Sequence, residues 1–143
     1  MRLARVVLTI LGVLFVTQGT VQLFQPELLT DMIDISAGSV TGRIELKVIY
    51  GGLHIALGTI CLWGVAKRKN TGAALTVMLF VSLGVAIPRV ALGLLHRDFS
   101  AYSAAAMIME TTAALLLLGL LRSLRQRPGS EFSNDTAHTT LSS

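Results

Sequence analysis

One short stretch of the sequence, ELKVIYGGLH from Glu45 to His54, concentrates side chains that could do chemistry. It holds a carboxylate, an ammonium group, a phenol and an imidazole, and it continues directly into the apolar run IALGTICLWGV. Two more charges stand alone in apolar surroundings, in GVAIPRVALG and in AAMIMETTAA. In an apolar environment such groups bind polar ligands, exchange protons or pair with one another. The candidate residues are Gln18, Glu45, Lys47, Tyr50, His54, Arg89 and Glu110.

The number and spacing of the possible ligands exclude several kinds of cofactor site. Cys61 is the only cysteine, so an internal disulfide and dithiol chemistry are not expected. His54 is the only histidine well inside an apolar stretch, which argues against bis-histidine haem, and the sequence lacks a cluster of metal ligands. No Ser-His-Asp constellation, glycine-rich phosphate loop or EF-hand occurs. We therefore expect no metal and no cofactor, and we favour a protein that is not an enzyme.

The composition explains why polar groups are so few. Of the 143 residues, 52% are hydrophobic and only 14% are charged, and the mean hydropathy is +0.68. Soluble domains contain about 25% charged residues, so this chain lacks the charge to cover a water-facing surface. Four apolar stretches are each near the ~20 residues that cross a bilayer as a helix. The sequence predicts an all-α, polytopic membrane four-helix bundle of residues 1–121, with spans at about 6–24, 46–65, 72–95 and 101–121.

Basic residues predict how the spans are oriented. They lie before the first span, between the second and third spans and after the fourth, whereas the other two connections are acidic or mixed. The positive-inside rule then places both termini in the cytoplasm, with the chain in the inner membrane. The N-terminus lacks an A-x-A-like cleavage site, so we expect an uncleaved first span rather than a signal peptide. The Ser/Thr-rich segment 122–143 is expected to be a disordered cytoplasmic tail.

Several polar side chains are predicted to lie at similar depths in the outer half of the bilayer. From the rise per residue of a helix, Tyr50 lies roughly 9 Å deep, His54 near the midplane, Arg89 roughly 9 Å and Glu110 roughly 12 Å, with Gln18 at a comparable level. A charge inside a membrane normally faces the protein and finds a partner. We therefore expect an ion pair in a polar cavity that opens outward. Glycines allow the close helix packing that such a bundle needs, and those expected at contacts are Gly12, Gly19, Gly51, Gly52 and Gly58.

Each polar group also has a purely structural interpretation. Lys47 lies close enough to the interface to extend toward water, and Tyr50 is compatible with an interfacial aromatic belt. His54 is compatible with a hydrogen-bonded interior histidine. An ion pair between Arg89 and Glu110 is compatible with a structural role as well as with a substrate or proton site.

The motifs together resemble a known family. ELKVIYGGLHIALG after a proline-containing loop, GVAIPRVALG on the third span and a lone glutamate on the fourth are similar to the small bacterial four-helix membrane proteins of domain-of-unknown-function family 4345, which are DoxX-like in layout. The resemblance covers Arg2 to about Leu121. Lys47 and His54 are not typical of the family. The resemblance implies a location and a fold but no reaction, and the residues that match the family signature are Glu45, Tyr50, Gly51, Gly52, Arg89 and Glu110.

The sequence is compatible with functions of different classes. The preferred hypothesis is a non-enzymatic accessory or structural membrane subunit whose polar cluster specifies the packing of the bundle. The alternative is a carrier or binding protein for a small or lipophilic ligand, quinone-like or lipid-like, in the outward-facing cavity. A membrane oxidoreductase subunit is disfavoured because haem and metal ligands are missing. The expected partners are the lipid bilayer and either a second copy of the chain or another membrane protein. The net charge of +4 reflects the orientation bias, and nucleic-acid binding is not expected.

Overall fold

A computed structural model describes residues 2–28, 38–97 and 100–126 of the chain. These residues are helical, without strands, and form four long helices. We number the helices in chain order as α1 Arg2–Phe24, α2 Val40–Ala66, α3 Thr71–His96 and α4 Ala101–Arg125. Each is long and apolar enough to cross a membrane, as the sequence predicts for four helices.

Helix α2 contains a π turn in its first half. The α-helical segments Val40–Leu46 and Leu53–Ala66 flank six residues, Lys47–Gly52, with the wider hydrogen-bond pattern of a π-helix. The N–H of Leu53 accordingly donates to the carbonyl of Val48, five residues earlier. A single π turn accommodates one residue more than the regular helix. Side chains before the turn are therefore rotated by about 100° relative to their positions in an uninterrupted α-helix.

Two helices extend beyond the predicted spans. Helix α2 begins at Val40 rather than near residue 46, because Ser39 caps it: the Oγ of Ser39 accepts a hydrogen bond from the N–H of Gly42 at 3.0 Å. Helix α4 continues to Arg125, so residues 122–125 are helical rather than part of a disordered tail. The positive charges of Arg122 and Arg125 stabilise the last turn by facing the negative end of the helix dipole. The remainder of the predicted tail, from residue 127, lies outside the described residues.

The helices form two antiparallel hairpins, α1 with α2 and α3 with α4, which meet through α2 and α3. A short connection, residues 67–70, joins the hairpins. Behind this connection the buried Oγ1 of Thr71 donates to the carbonyl of Gly64 at 2.9 Å. We call the end with this connection, the start of α1 and the end of α4 the basic end. The far end holds the start of α2 and the connection 97–100, where Arg97 stops α3 in a left-handed conformation with a φ of 52°.

The close-packed core lies in the half of the bundle next to the basic end. Its largest fully buried side chains come from all four helices and are Leu8, Leu75, Met78, Leu117, Thr71 and Cys61. At the same end Nη2 of Arg5 on α1 donates to the carbonyl of Val65 on α2 at 3.1 Å. Both hairpins are therefore held together most firmly at the basic end.

Glycines set the register of the first hairpin. A Cβ placed on Gly58 would lie 2.7 Å from the carbonyl oxygen of Gly12, and one on Gly19 would lie 2.6 Å from the carbonyl oxygen of Gly51. In each contact the two residue numbers add up to 70, and the same is true of Arg5 and Val65, which are joined by a hydrogen bond. The register of α1 against α2 is therefore the same at all three places. The two helix backbones thus approach each other directly along the whole hairpin. The prediction that Gly52 belongs to this contact is wrong, because Gly52 is exposed and a Cβ there would meet nothing within 4 Å.

Candidate functional site

The core-facing sides of α3 and α4 change from apolar to polar along the bundle. Seven-residue spacing keeps residues on one face of a helix. On α3 this face runs from the basic end through Leu75, Ser82, Arg89 and His96. On α4 it runs through Leu117, Glu110 and Ser103. The leucines at the start of both rows are fully buried in the core, so the polar groups occupy the positions that would continue that core toward the far end.

Arg89 and Glu110 form an ion pair between the third and fourth helices. Nε of Arg89 donates to Oε2 of Glu110 at 2.7 Å, and the exposed fractions of the two side chains are 32% and 17%. The structure therefore contains the ion pair that their similar depths predict. An unpaired charge at the centre of a membrane helix costs ~2.5–3.5 kcal/mol on insertion scales. Pairing removes much of that cost and ties the two helices of the second hairpin together.

A partly open cleft of about 610 Å³ lies beside the ion pair, between α3 and α4. It extends along α3 from His96 to Gly84, which is roughly 18 Å at the rise of an α-helix. Its wall is mostly apolar and includes Val85 and Leu92, while Arg89 and His96 are among its polar residues. The volume lies within the range of about 300–1,000 Å³ that is typical of small-molecule sites.

A backbone carbonyl that precedes Pro88 in α3 is a further polar group in this cleft. Pro88 lies inside α3 and has no N–H, so it cannot donate to the carbonyl of Gly84, four residues earlier. Both residues line the cleft, and a Cβ placed on Gly84 would meet no atom within 4 Å. The cleft therefore has open space next to a carbonyl that lacks its helical donor.

A second group of polar residues lies on the first hairpin. The ring of His54 contacts the rings of Phe15 and Tyr50, with centroid distances of 5.5 Å and 6.3 Å. Nδ1 of His54 is buried, and although the carbonyl of Ile49 lies close enough to interact with the ring, Nδ1 makes no hydrogen bond of regular geometry. Tyr50 lies at the π turn. This arrangement gives His54 an aromatic environment on α1 and α2.

This cleft contains only some of the residues that were predicted to line one cavity. The lining of the cleft comes from α3 and α4 and includes neither Tyr50 nor His54. Tyr50 and His54 instead lie against each other on α2, apart from this lining.

The outlying members of the predicted cluster have other positions. Gln18 and Glu45 are exposed, and Lys47 is half-buried. Gln22, one helical turn further along α1 than Gln18, is instead only 7% exposed, and its Oε1 has no hydrogen-bond partner. Gln22 follows Leu8 and Phe15 at seven-residue spacing, and that periodicity could have revealed it.

The π turn separates Lys47 from His54 around α2. A constant 100° step places Lys47 on the same face as His54, but the π turn between them displaces Lys47 around the helix. The glycine pair after Tyr50 is the local sequence signal for this irregularity. Single π turns occur frequently at functional sites, which draws attention to the same stretch that the sequence singles out.

Within residues 2–28, 38–97 and 100–126, no group of three or more His, Cys, Asp and Glu side chains could hold a metal ion. What the arrangement offers is a permanently charged guanidinium, a carboxylate that fixes it, and an adjoining apolar cleft. This combination can bind and orient a molecule that is part polar and part apolar.

Comparison with known sequences identifies the family. Residues 3–121 match the family described as Domain of unknown function (DUF4345). The chain belongs to this family. No curated protein and no solved structure matches it. The match includes the ion pair, the cleft and the π turn, and it confirms the family resemblance read from ELKVIYGGLH and the charged residues of the second hairpin. The description of the DUF4345 family names no activity, so the function of the chain has to be inferred from the site.

Proposed function

We propose that this DUF4345 protein is a multi-pass protein of the inner membrane that binds a small amphiphilic molecule in the cleft between α3 and α4. The observation that carries the proposal is the position of the cleft. It adjoins a charged pair on the core-facing side of the helices, at membrane depth, where close packing would be expected. If the ion pair served only to join two helices, filling this space with side chains would make the bundle more stable.

The distribution of basic residues supports the orientation that the proposal includes. The basic end carries Arg2, Arg5, Lys67, Arg68, Lys69, Arg122 and Arg125. Under the positive-inside rule this end is cytoplasmic, together with both termini. The far end, the ion pair and the cleft then lie toward the outer face of the inner membrane.

The wall of the cleft supports an amphiphilic ligand over a fully polar one. Val85 and Leu92 line it and are also exposed on the surface of the helix. In a bilayer, such an edge faces lipid chains, which gives an apolar molecule a route from the membrane into the cleft. Arg89 and His96 would meet the polar part of that molecule nearer the far end.

Native mass spectrometry of the protein, purified in a non-ionic detergent, tests the proposal. We expect a retained small molecule, at one per chain, that is lost from the variant Gly84→Leu. Gly119→Leu is the matched control, since Gly119 is likewise exposed and open to an added side chain but lies on α4 near the basic end. Both variants should unfold at the same temperature as the wild type.

The same experiment distinguishes the accessory-subunit hypothesis. A stoichiometric second polypeptide with no retained small molecule would contradict ligand binding and support a subunit role. Retention of the small molecule by Gly84→Leu would show that it binds elsewhere and would remove the cleft from the proposal.

A further inference from the structure

Arg89 uses only part of its hydrogen-bonding capacity in the ion pair. A guanidinium has five N–H donors, and the bond to Oε2 of Glu110 uses the one on Nε. Among the described residues, Nη1 and Nη2 of Arg89 make no hydrogen bond to protein. The side chain also lines the cleft. The pair therefore fixes the guanidinium through Nε, and its terminal nitrogens have no acceptor within residues 2–28, 38–97 and 100–126.

Among the described residues, those that line the cleft supply no anion for these nitrogens. The polar ones are Arg89, His96 and Ser103, and none of them carries a carboxylate. Glu110, the partner of Arg89, is not part of the lining. The electrostatic character of the cleft surface is therefore that of a hydrogen-bond donor and a positive charge next to an apolar wall.

We infer that the ligand carries an oxyanion head group, a carboxylate or a phosphate, which Nη1 and Nη2 of Arg89 bind, while its apolar part lies along Val85, Leu92 and Met107. This inference rests on the proposed function and specifies the ligand class. The two terminal nitrogens of arginine match the two oxygens of such a group, and lysine does not offer this paired geometry. Glu110 acts as a positioning residue that holds the guanidinium through Nε.

The size of the cleft agrees with a head group joined to an apolar chain. From His96 to Gly84 it runs roughly 18 Å along the helix, and Arg89 lies in between, roughly 7.5 Å from Gly84 and roughly 10.5 Å from His96. A head group at Arg89 would leave space toward Gly84 and Pro88 for the chain. A free inorganic anion would occupy only the part next to Arg89 and leave the apolar wall uncovered.

Binding of four defined probes to the purified full-length protein in a non-ionic detergent tests this inference. The probes are dodecyl phosphate, dodecanoate, dodecanol and inorganic phosphate, and isothermal titration gives the Kd of each. We expect the two anionic amphiphiles to bind at least tenfold more tightly than dodecanol. We expect inorganic phosphate to bind at least tenfold more weakly than dodecyl phosphate.

The variant Arg89→Lys isolates the terminal nitrogens, because it keeps a positive charge next to Glu110. It should weaken binding of dodecyl phosphate at least tenfold and leave the Kd of dodecanol within twofold. Arg43→Lys is the matched control, since Arg43 is exposed on α2 at the far end, and it should change neither value. If Arg89→Lys does not fold, the variant Arg89→Gln with Glu110→Gln removes both charges together and should bind dodecanol while losing the preference for anions.

The outcomes separate this inference from the proposed function. Equal affinity for dodecanol and dodecyl phosphate would overturn the oxyanion site and leave an amphiphile-binding cleft. Equal affinity for inorganic phosphate and dodecyl phosphate would keep the oxyanion site and overturn the amphiphile. Failure of all four probes to bind would overturn both. An unchanged preference for anions in Arg89→Lys would remove Arg89 from the site.

Discussion

Replacing Gly19 by alanine should weaken the first hairpin more than the same replacement at Gly52. The added Cβ at Gly19 would lie 2.6 Å from the carbonyl oxygen of Gly51 and 2.8 Å from the backbone nitrogen of Ile55. Ordinary contact begins near 3.4 Å, so α1 and α2 would have to move apart by roughly 0.8 Å at this point. Backbone atoms cannot turn away as the end of a side chain can.

The size of the destabilisation follows from comparing glycines at different positions of α1 and α2. Overpacking of a close contact typically costs ~1–3 kcal/mol. Alanine also gains about 0.5–1 kcal/mol over glycine inside a helix, but this gain applies to both Gly19→Ala and Gly52→Ala. Because a Cβ at Gly52 meets nothing within 4 Å, the difference between the two variants should be ~1–3 kcal/mol. Gly12→Ala should fall between them, since its nearest atoms belong to the flexible side chain of Leu62.

Equilibrium unfolding in mixed micelles, with increasing SDS in a non-ionic detergent, measures these free energies. Helical circular dichroism reports the transition, and the slope should stay the same for the three variants. If Gly19→Ala is as stable as Gly52→Ala within about 0.5 kcal/mol, the hairpin does not depend on direct contact between the two helix backbones.

Three other predictions follow from separate parts of the bundle. Glu110→Ala should destabilise the protein more than the double variant Glu110→Ala with Arg89→Ala, because the single variant leaves a charge unpaired in the membrane; a coupling free energy below about 0.5 kcal/mol in a double-mutant cycle would show that the residues act separately. Thr71→Val should cost ~1–3 kcal/mol, because it leaves the buried carbonyl of Gly64 without its donor, and an unfolding free energy equal to that of the exposed control Thr9→Val would contradict this. Cysteines at Ser39 and Lys69, in a protein with Cys61→Ala, should react with an impermeant thiol reagent in intact cells only at Ser39, and the reverse pattern would overturn the orientation.

The helices and the ion pair could be predicted from the sequence, because both depend on short-range quantities. Hydropathy determines which stretches can cross a membrane, and the rise per residue places Arg89 and Glu110 at similar depths on neighbouring helices. The start of α2 at Val40 was harder to predict, since it depends on a cap from Ser39 to a polar first turn.

The faces of the helices were predicted less well, because a small error in helical phase moves a residue to another side. The π turn at Lys47–Gly52 breaks the constant step of 100° that would place Lys47 and His54 on one face of α2. The choice between Gln18 and Gln22 has the same origin: the two lie one turn apart, and Gln22 is the one that continues the seven-residue spacing of Leu8 and Phe15 into the buried face. Which helices line the cleft depends on how the two hairpins meet, and no local pattern encodes that contact.

The division of the bundle into a packed half and an open half affects which amino-acid substitutions the protein can tolerate. Met78 and Arg89 lie on the same helix but 11 residues apart, or roughly 16 Å. Substitutions at sites more than about 7–10 Å apart that share no partners have additive effects on stability. Residues that line the cleft can therefore be exchanged, during evolution or in the laboratory, without a matching set of changes in the leucine core. The leucine core maintains the fold, while the lining of the cleft apart from Arg89 can diversify.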